Sequence, residues 1–92
     1  MVLGEYDLYY LRDKGKREVD FLVTRDDAPW FLVEVKTSGR QSLNKNLFYF
    51  QKKTGAQHAF QVAFDLEYIA QDCFSVIKPV IVPATTFLSQ LV

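Results

Sequence analysis

A chain of 92 residues that is 49% hydrophobic and 15% aromatic can bury a core, which excludes a disordered segment and suits a single domain over 1–92. Eleven basic and eleven acidic residues cancel, so overall charge gives no attraction for a polyanion. Cys73 is the sole cysteine, no Cys/His set has zinc-ligand spacing, and no run approaches the roughly 20 apolar residues of a membrane span, so a cytoplasmic protein with no membrane role is expected.

Residues 5–12 are rich in tyrosine, alternate loosely and predict a strand, with a turn at Asp13-Lys14-Gly15-Lys16. Arg17–Thr24 and Trp30–Lys36 predict two more strands, separated by Arg25–Pro29, which makes a three-stranded meander. Ser42 is a suitable helix N-cap and Gly55 a suitable C-terminal residue, and between them Leu43, Leu47 and Phe50 share one helical face. His58–Phe64 predicts a fourth strand and Cys73–Ile77 a fifth. After Lys78-Pro79 and the short apolar run Val80-Ile81-Val82, Pro83 suits the start of a last helix carrying Phe87, Leu88 and Leu91.

The chemistry lies on the two middle strands. Alternation puts Val19, Phe21 and Val23 on one face together with Phe31, Val33 and Val35. The opposite face carries Asp20, Leu22 and Thr24 beside Trp30, Leu32, Glu34 and Lys36. For the apolar faces to coincide, paired residue numbers must sum to about 54 or 56, because a one-residue slip turns a whole strand over. The first register sets Asp20 opposite Glu34, the second opposite Lys36. In either, two carboxylates and an ammonium converge on a face that is otherwise apolar. Mg²⁺ commonly takes one or two carboxylates and completes its octahedron with water and phosphate oxygens, and a nearby lysine can orient water or neutralise developing charge. The alternative is a structural ion pair at a sheet edge, which accounts less well for a second carboxylate.

Asp20 followed fourteen residues later by Glu34-Val35-Lys36, on adjacent strands and then a helix, resembles the D...ExK signature of the PD-(D/E)xK nuclease-like superfamily. The strings Glu18-Val19-Asp20-Phe21, Val33-Glu34-Val35-Lys36 and Val82-Pro83-Ala84 with Phe87-Leu88 further resemble the C-terminal nuclease-like domain of a group of prokaryotic AAA+ ATPases. The resemblance implies an α/β, restriction-endonuclease-like mixed sheet with a β-meander, one main helix after the ExK strand and a short C-terminal helix. It implies Asp20 and Glu34 as ligands of Mg²⁺ or Mn²⁺, Val35 as a main-chain carbonyl ligand and Lys36 as catalytic lysine, with hydrolysis of DNA as the reaction. A catalytically inactive module that docks or regulates is the alternative implication.

Between Val35 and Phe64 the charged residues are Lys36, Arg40, Lys45, Lys52 and Lys53, all basic, and Arg40, Lys45, Lys52 and Lys53 are candidate phosphate contacts. Two features depart from the superfamily pattern: its usual first helix is absent, since Met1–Gly4 alone precede the first strand, and Gln51 is followed four residues later by Gly55 instead of Tyr. The sheet face that such a helix would cover, with Tyr6, Tyr9 and Tyr10, is expected to promote self-association or docking on another chain. No P-loop is present, so the chain itself is not expected to hydrolyse ATP through a Walker motif, and the resemblance implies either a C-terminal piece of a larger ATPase or a shortened homologue that has lost activity.

Overall fold

The computed structural model describes residues 5–91, and Met1–Gly4, on which the expectation of an absent first helix rests, lie outside the described residues. Five strands form one mixed sheet in the order β1-β2-β3-β4-β5. They are β1 (Tyr6–Arg12), β2 (Glu18–Arg25), β3 (Ala28–Lys36), β4 (His58–Ala63) and β5 (Val80–Pro83). The first three are antiparallel, as the expected meander requires, and β4 and β5 add in parallel. A parallel neighbour needs a long crossover, and helix α1 (Lys45–Thr54) supplies the one from β3 to β4, while α2 (Ala84–Ser89) follows β5. With strands at both edges and a layer on each face, β4 is buried at every position.

The β2–β3 hairpin turns on Asp26 and Asp27, whose φ values of 52° and 67° are those of a two-residue turn matched to the twist of the strands. Aspartate tolerates this left-handed region better than most residues. Next to the turn, Val23 opposes Phe31 but Thr24 opposes Pro29, which leaves Trp30 as an extra residue on β3. The bulge reverses the expectation for Trp30. It leaves the face of Leu32 and Glu34 and packs with its ring 4.9 Å from Phe31 and 5.3 Å from Phe74.

A second irregularity lies between β1 and β2. Tyr9 opposes Leu22 and Leu11 opposes Val19, so Asp20 and Phe21 together face Tyr10. Val19 is thereby turned away from Phe21 and Val23, contrary to simple alternation. It is fully buried under α1 with Leu22, Leu32 and Leu47, whereas Phe21 stays exposed. Between the two bulges, Phe21 opposes Val33 and Leu22 opposes Leu32, which is the first of the two expected registers.

The sheet has two unlike cores. One face holds Phe31, Val33, Phe60, Val62, Cys73, Val82 and Phe87, with Trp30 and Phe74 packed on them. Each large aromatic side chain buried there contributes about 1.5–3 kcal/mol. The other face holds Val19, Leu22, Leu32, Ala56 and Ala59 under Leu47 and Phe50 of α1.

Three other expectations change. Helix α1 is capped by Asn44 instead of Ser42, because the Ser42 carbonyl is taken by the amide of buried Gln61 and the chain there stays extended. Gly55 ends the helix as expected, at φ 77°, with its N–H on the Gln51 carbonyl. Cys73–Ile77 is no strand: both edges of β4 are already occupied, and Cys73–Ser75 winds instead into a short 3-10 turn capped by Asp72. In α2, Phe87 faces the core but Leu88 is exposed, and the helix ends at Ser89, before Leu91, which is exposed as well.

Candidate functional site

Beyond the Phe21–Val33 pair the ladder between β2 and β3 ends, and two carboxylates serve main-chain N–H groups that need acceptors. Asp20 N–H donates to Glu34 Oε1 at 3.1 Å, and Val35 N–H donates to Asp20 Oδ2 at 2.8 Å. Each acidic side chain therefore sits against the backbone of the other's strand. The N–H and C=O of one strand residue point to the same edge, so the Val35 carbonyl is turned toward β2 as well. Consistently, the carbonyl of the next residue, Lys36, accepts from Phe64 on the β4 side at 3.1 Å.

Glu34 is the best-held group of the cluster and is nearly buried, at 8% exposure. Its second oxygen, Oε2, lies 3.3 Å from Lys36 Nζ and accepts from Asn44 Nδ2 at 2.9 Å. Asn44 belongs to two structures at once, because its Oδ1 accepts the Asn46 N–H and so caps α1. The main-chain N–H of Asn44 donates to Gln61 Oε1 at 2.8 Å, and Gln61 Nε2 donates to the carbonyls of Ser42 and Gln41 at 3.1 and 3.4 Å. Gln61 is fully buried on β4 directly opposite Glu34. Thus β2, β3, β4 and the start of α1 together fix one carboxylate.

Asn44 and Gln61 were missed by sequence reasoning. A usable signal existed for Gln61, since a lone amide inside an apolar central strand has to find partners. For Asn44 no such signal distinguishes it from Ser42 as a cap.

Lys36 and Asn44 line an open cleft of ≈ 460 Å³ together with Gln41, Ser42, Leu43 and Lys45. Arg40 is exposed on the loop leading to it. Of the other basic candidates, Lys52 and Lys53 lie in the last turn of α1, about 10–12 Å along the axis from Lys45, where positive charge suits the helix dipole. Lys53 Nζ donates to the Tyr49 hydroxyl at 3.3 Å, and the Arg17 guanidinium stacks 3.7 Å above the Tyr49 ring. Gln51 spends its amide on the Ala56 carbonyl.

Outside the cleft, titration is shifted at a few groups. The Tyr10 phenol is pushed above its usual value, chiefly by its hydrogen bond to the Glu18 carboxylate, with burial and the charge of Glu18 adding to the effect. Glu18 also faces Arg12 and is thereby engaged away from Asp20. Burial, and then the charge of Asp72, push the Cys73 thiol up and make it a poor nucleophile. Among the described residues no three His, Cys, Asp or Glu side chains come together as a metal-ligand group, and no helix is long and apolar enough to cross a membrane.

The family model for the domain of unknown function DUF4143 matches residues 3–81. The chain belongs to this family. DUF4143 domains are commonly found on AAA+ ATPases. No curated protein and no solved structure matches the chain.

Proposed function

We propose that this DUF4143 domain is a PD-(D/E)xK-type, metal-dependent nuclease module that hydrolyses phosphodiester bonds of DNA and is carried, as a C-terminal part, on an AAA+ ATPase. The observation that carries this proposal is the reciprocal hold between Asp20 and Glu34, which keeps two carboxylates side by side with Lys36 at 3.3 Å from Glu34. The donor set suits a hard cation: two carboxylates and the Val35 carbonyl are all oxygen ligands, the type and number that Mg²⁺ or Mn²⁺ accepts from protein. When bound, such an ion supplies a Lewis acid and a water of lowered pKa.

The remaining roles fall to the chain itself. Asn44 and Gln61 keep Glu34 oriented. Lys36, partly exposed at the cleft, places a positive charge where a phosphoryl oxygen becomes more negative, and Lys45 and Arg40 offer contacts to flanking phosphates. Glu34 also favours a second interpretation, because the Asp20 N–H, Asn44 and Lys36 already satisfy it without any metal ion. A domain built that way would be a catalytically inactive docking or regulatory module.

One experiment separates the two. Wild type, Asp20→Asn and Lys36→Ala are melted with and without Mn²⁺ and assayed for nicking of supercoiled DNA. The nuclease proposal expects Mn²⁺ to raise the melting temperature of wild type and Lys36→Ala but not of Asp20→Asn, with nicking in wild type alone. A hundredfold excess of ion over its Kd stabilises by about 2.7 kcal/mol, an easily measured shift. No shift in any of the three proteins, or equal nicking by all, overturns the metal site.

A further inference from the structure

The far edge of the sheet carries a strand that nothing described covers. β1 pairs with β2 on one side alone. Its side chains are open on both faces, with Tyr6 44%, Leu8 62%, Tyr9 49% and Tyr10 59% exposed. Natural edge strands are usually blunted by lysine, proline or a bulge on the free side. β1 contains neither lysine nor proline, and the bulge opposite it belongs to β2 on the inner side.

The direction of its free main-chain groups follows from the ladder. The Glu5 carbonyl accepts from Asp26 N–H at 2.7 Å, and Asp7 and Tyr9 stand opposite Thr24 and Leu22 in the same register. Antiparallel pairs alternate between bonded and non-bonded, so Tyr6, Leu8 and Tyr10 point their N–H and C=O groups outward. Charge is also sorted along the strand. At its start lie Glu5, Asp7, Asp26 and Asp27 against Arg25, and at its end Arg12, Lys14, Lys16 and Arg17 against Asp13 and Glu18.

We propose that β1 pairs antiparallel with β1 of a second copy of this chain, about a two-fold axis at Leu8, so that two five-stranded sheets become one. With the axis there, Leu8 faces its own copy and Tyr6 faces the second copy's Tyr10, and all three outward residues find main-chain partners. Antiparallel pairing brings the acidic end of each strand toward the basic end of the other, whereas parallel pairing would set like ends together. A two-fold contact of this kind closes on itself, with β5 of each copy left as the outer edges of the joined sheet. The cross-strand aromatic and aliphatic neighbours add to it. The dimer does not depend on the metal site: Asp20 lies across from Tyr10 on the inner side of β1, whereas the pairing uses the outward main-chain groups of that strand.

The test is sedimentation of the full chain over a concentration series, with three variants. Wild type is expected to dimerise, Leu8→Lys to be monomeric with an unchanged circular dichroism spectrum, and salt to weaken the dimer. Glu5→Lys/Asp7→Lys and Lys14→Glu/Lys16→Glu should each weaken dimerisation about tenfold, while their equimolar mixture recovers a heterodimer, because both junctions then join unlike charges. Hydrogen exchange supplies an independent measure: the Leu8 amide should be protected in the dimer and open in the charge variants. A monomeric wild type, a dimer indifferent to all three variants, or a Leu8 amide that exchanges freely in the dimer overturns the proposal.

Discussion

The two faces of the sheet solve the same burial problem in opposite ways. The face under α2 and the 3-10 turn is mainly aromatic, with Phe31, Phe60, Phe74 and Phe87 meeting at ring separations of 5.0–6.3 Å. The face under α1 uses smaller side chains and admits Glu34, Asn44 and Gln61 as a hydrogen-bonded group. An apolar face tolerates exchange of one hydrophobe for another of similar volume, whereas a polar group tolerates no missing partner. Stability should therefore reside mainly in the first face and positional definition in the second.

Phe60→Ala, at the centre of the aromatic face, is expected to have the largest effect, a loss of about 3–5 kcal/mol in denaturant unfolding, because it opens a cavity among rings that cannot collapse onto it. On the other face, Gln61→Leu keeps volume but strands the Asn44 N–H and the Ser42 carbonyl. About 1–3 kcal/mol should be lost, together with amide protection at the start of α1. If Gln61→Leu costs less than a few tenths of that range, the two faces do not differ as described.

Asn44 permits a finer division. Asn44→Ala removes both the cap and the Glu34 contact, and should lose about 1 kcal/mol or more, whereas Asn44→Ser keeps a capping oxygen and should recover part of it. A melting series of the two variants reads the difference directly. Equal losses would mean that the cap adds nothing and the amide contact to Glu34 carries the whole effect, whereas full recovery by Asn44→Ser would mean that the cap alone matters.

The smallest expected effect lies outside both cores. Burial acts to raise the Asp13 carboxyl, but hydrogen bonds from the Arg17 side chain and backbone outweigh it and hold the group below its ordinary value of 3.8. A carboxylate with a lowered folded value stabilises at pH above the unfolded value and loses that contribution as pH falls through the folded one. Asp13→Asn should therefore melt slightly below wild type at neutral pH and approach it in strong acid. Because the pair lies at the surface, with the Arg17 side chain about half exposed, the difference should shrink with salt.

Much of the fold was legible because single residues were decisive. Gly55 marked a helix end, Pro83 a helix start, and the spacing of Leu47 and Phe50 the buried side of α1. Asp20, Glu34 and Lys36 are legible as a cluster because alternation over a short hairpin leaves few registers, and the pairing that sums to 54 is one of the two it allows. Trp30 and Val19 were placed on the wrong faces for one reason: each lies at a bulge, and an extra residue reverses every side chain up to the next irregularity. Cys73–Ile77 failed as a strand because the sequence does not say that both edges of β4 are taken.

The sequence by itself determined the meander, the amphipathic helix that follows it, the fourth strand and the approach of two carboxylates to a lysine. These follow from the periodicity of the chain and from turn residues, which act over a few positions. The tertiary structure alone decided that Glu34 is held by Asn44 and Gln61, that Asp20 serves the Val35 N–H, and that Lys52 and Lys53 lie away from the cleft. Those outcomes depend on which buried polar groups meet across strands far apart in sequence. Each such group must find a partner, but the choice among partners is made by packing in three dimensions.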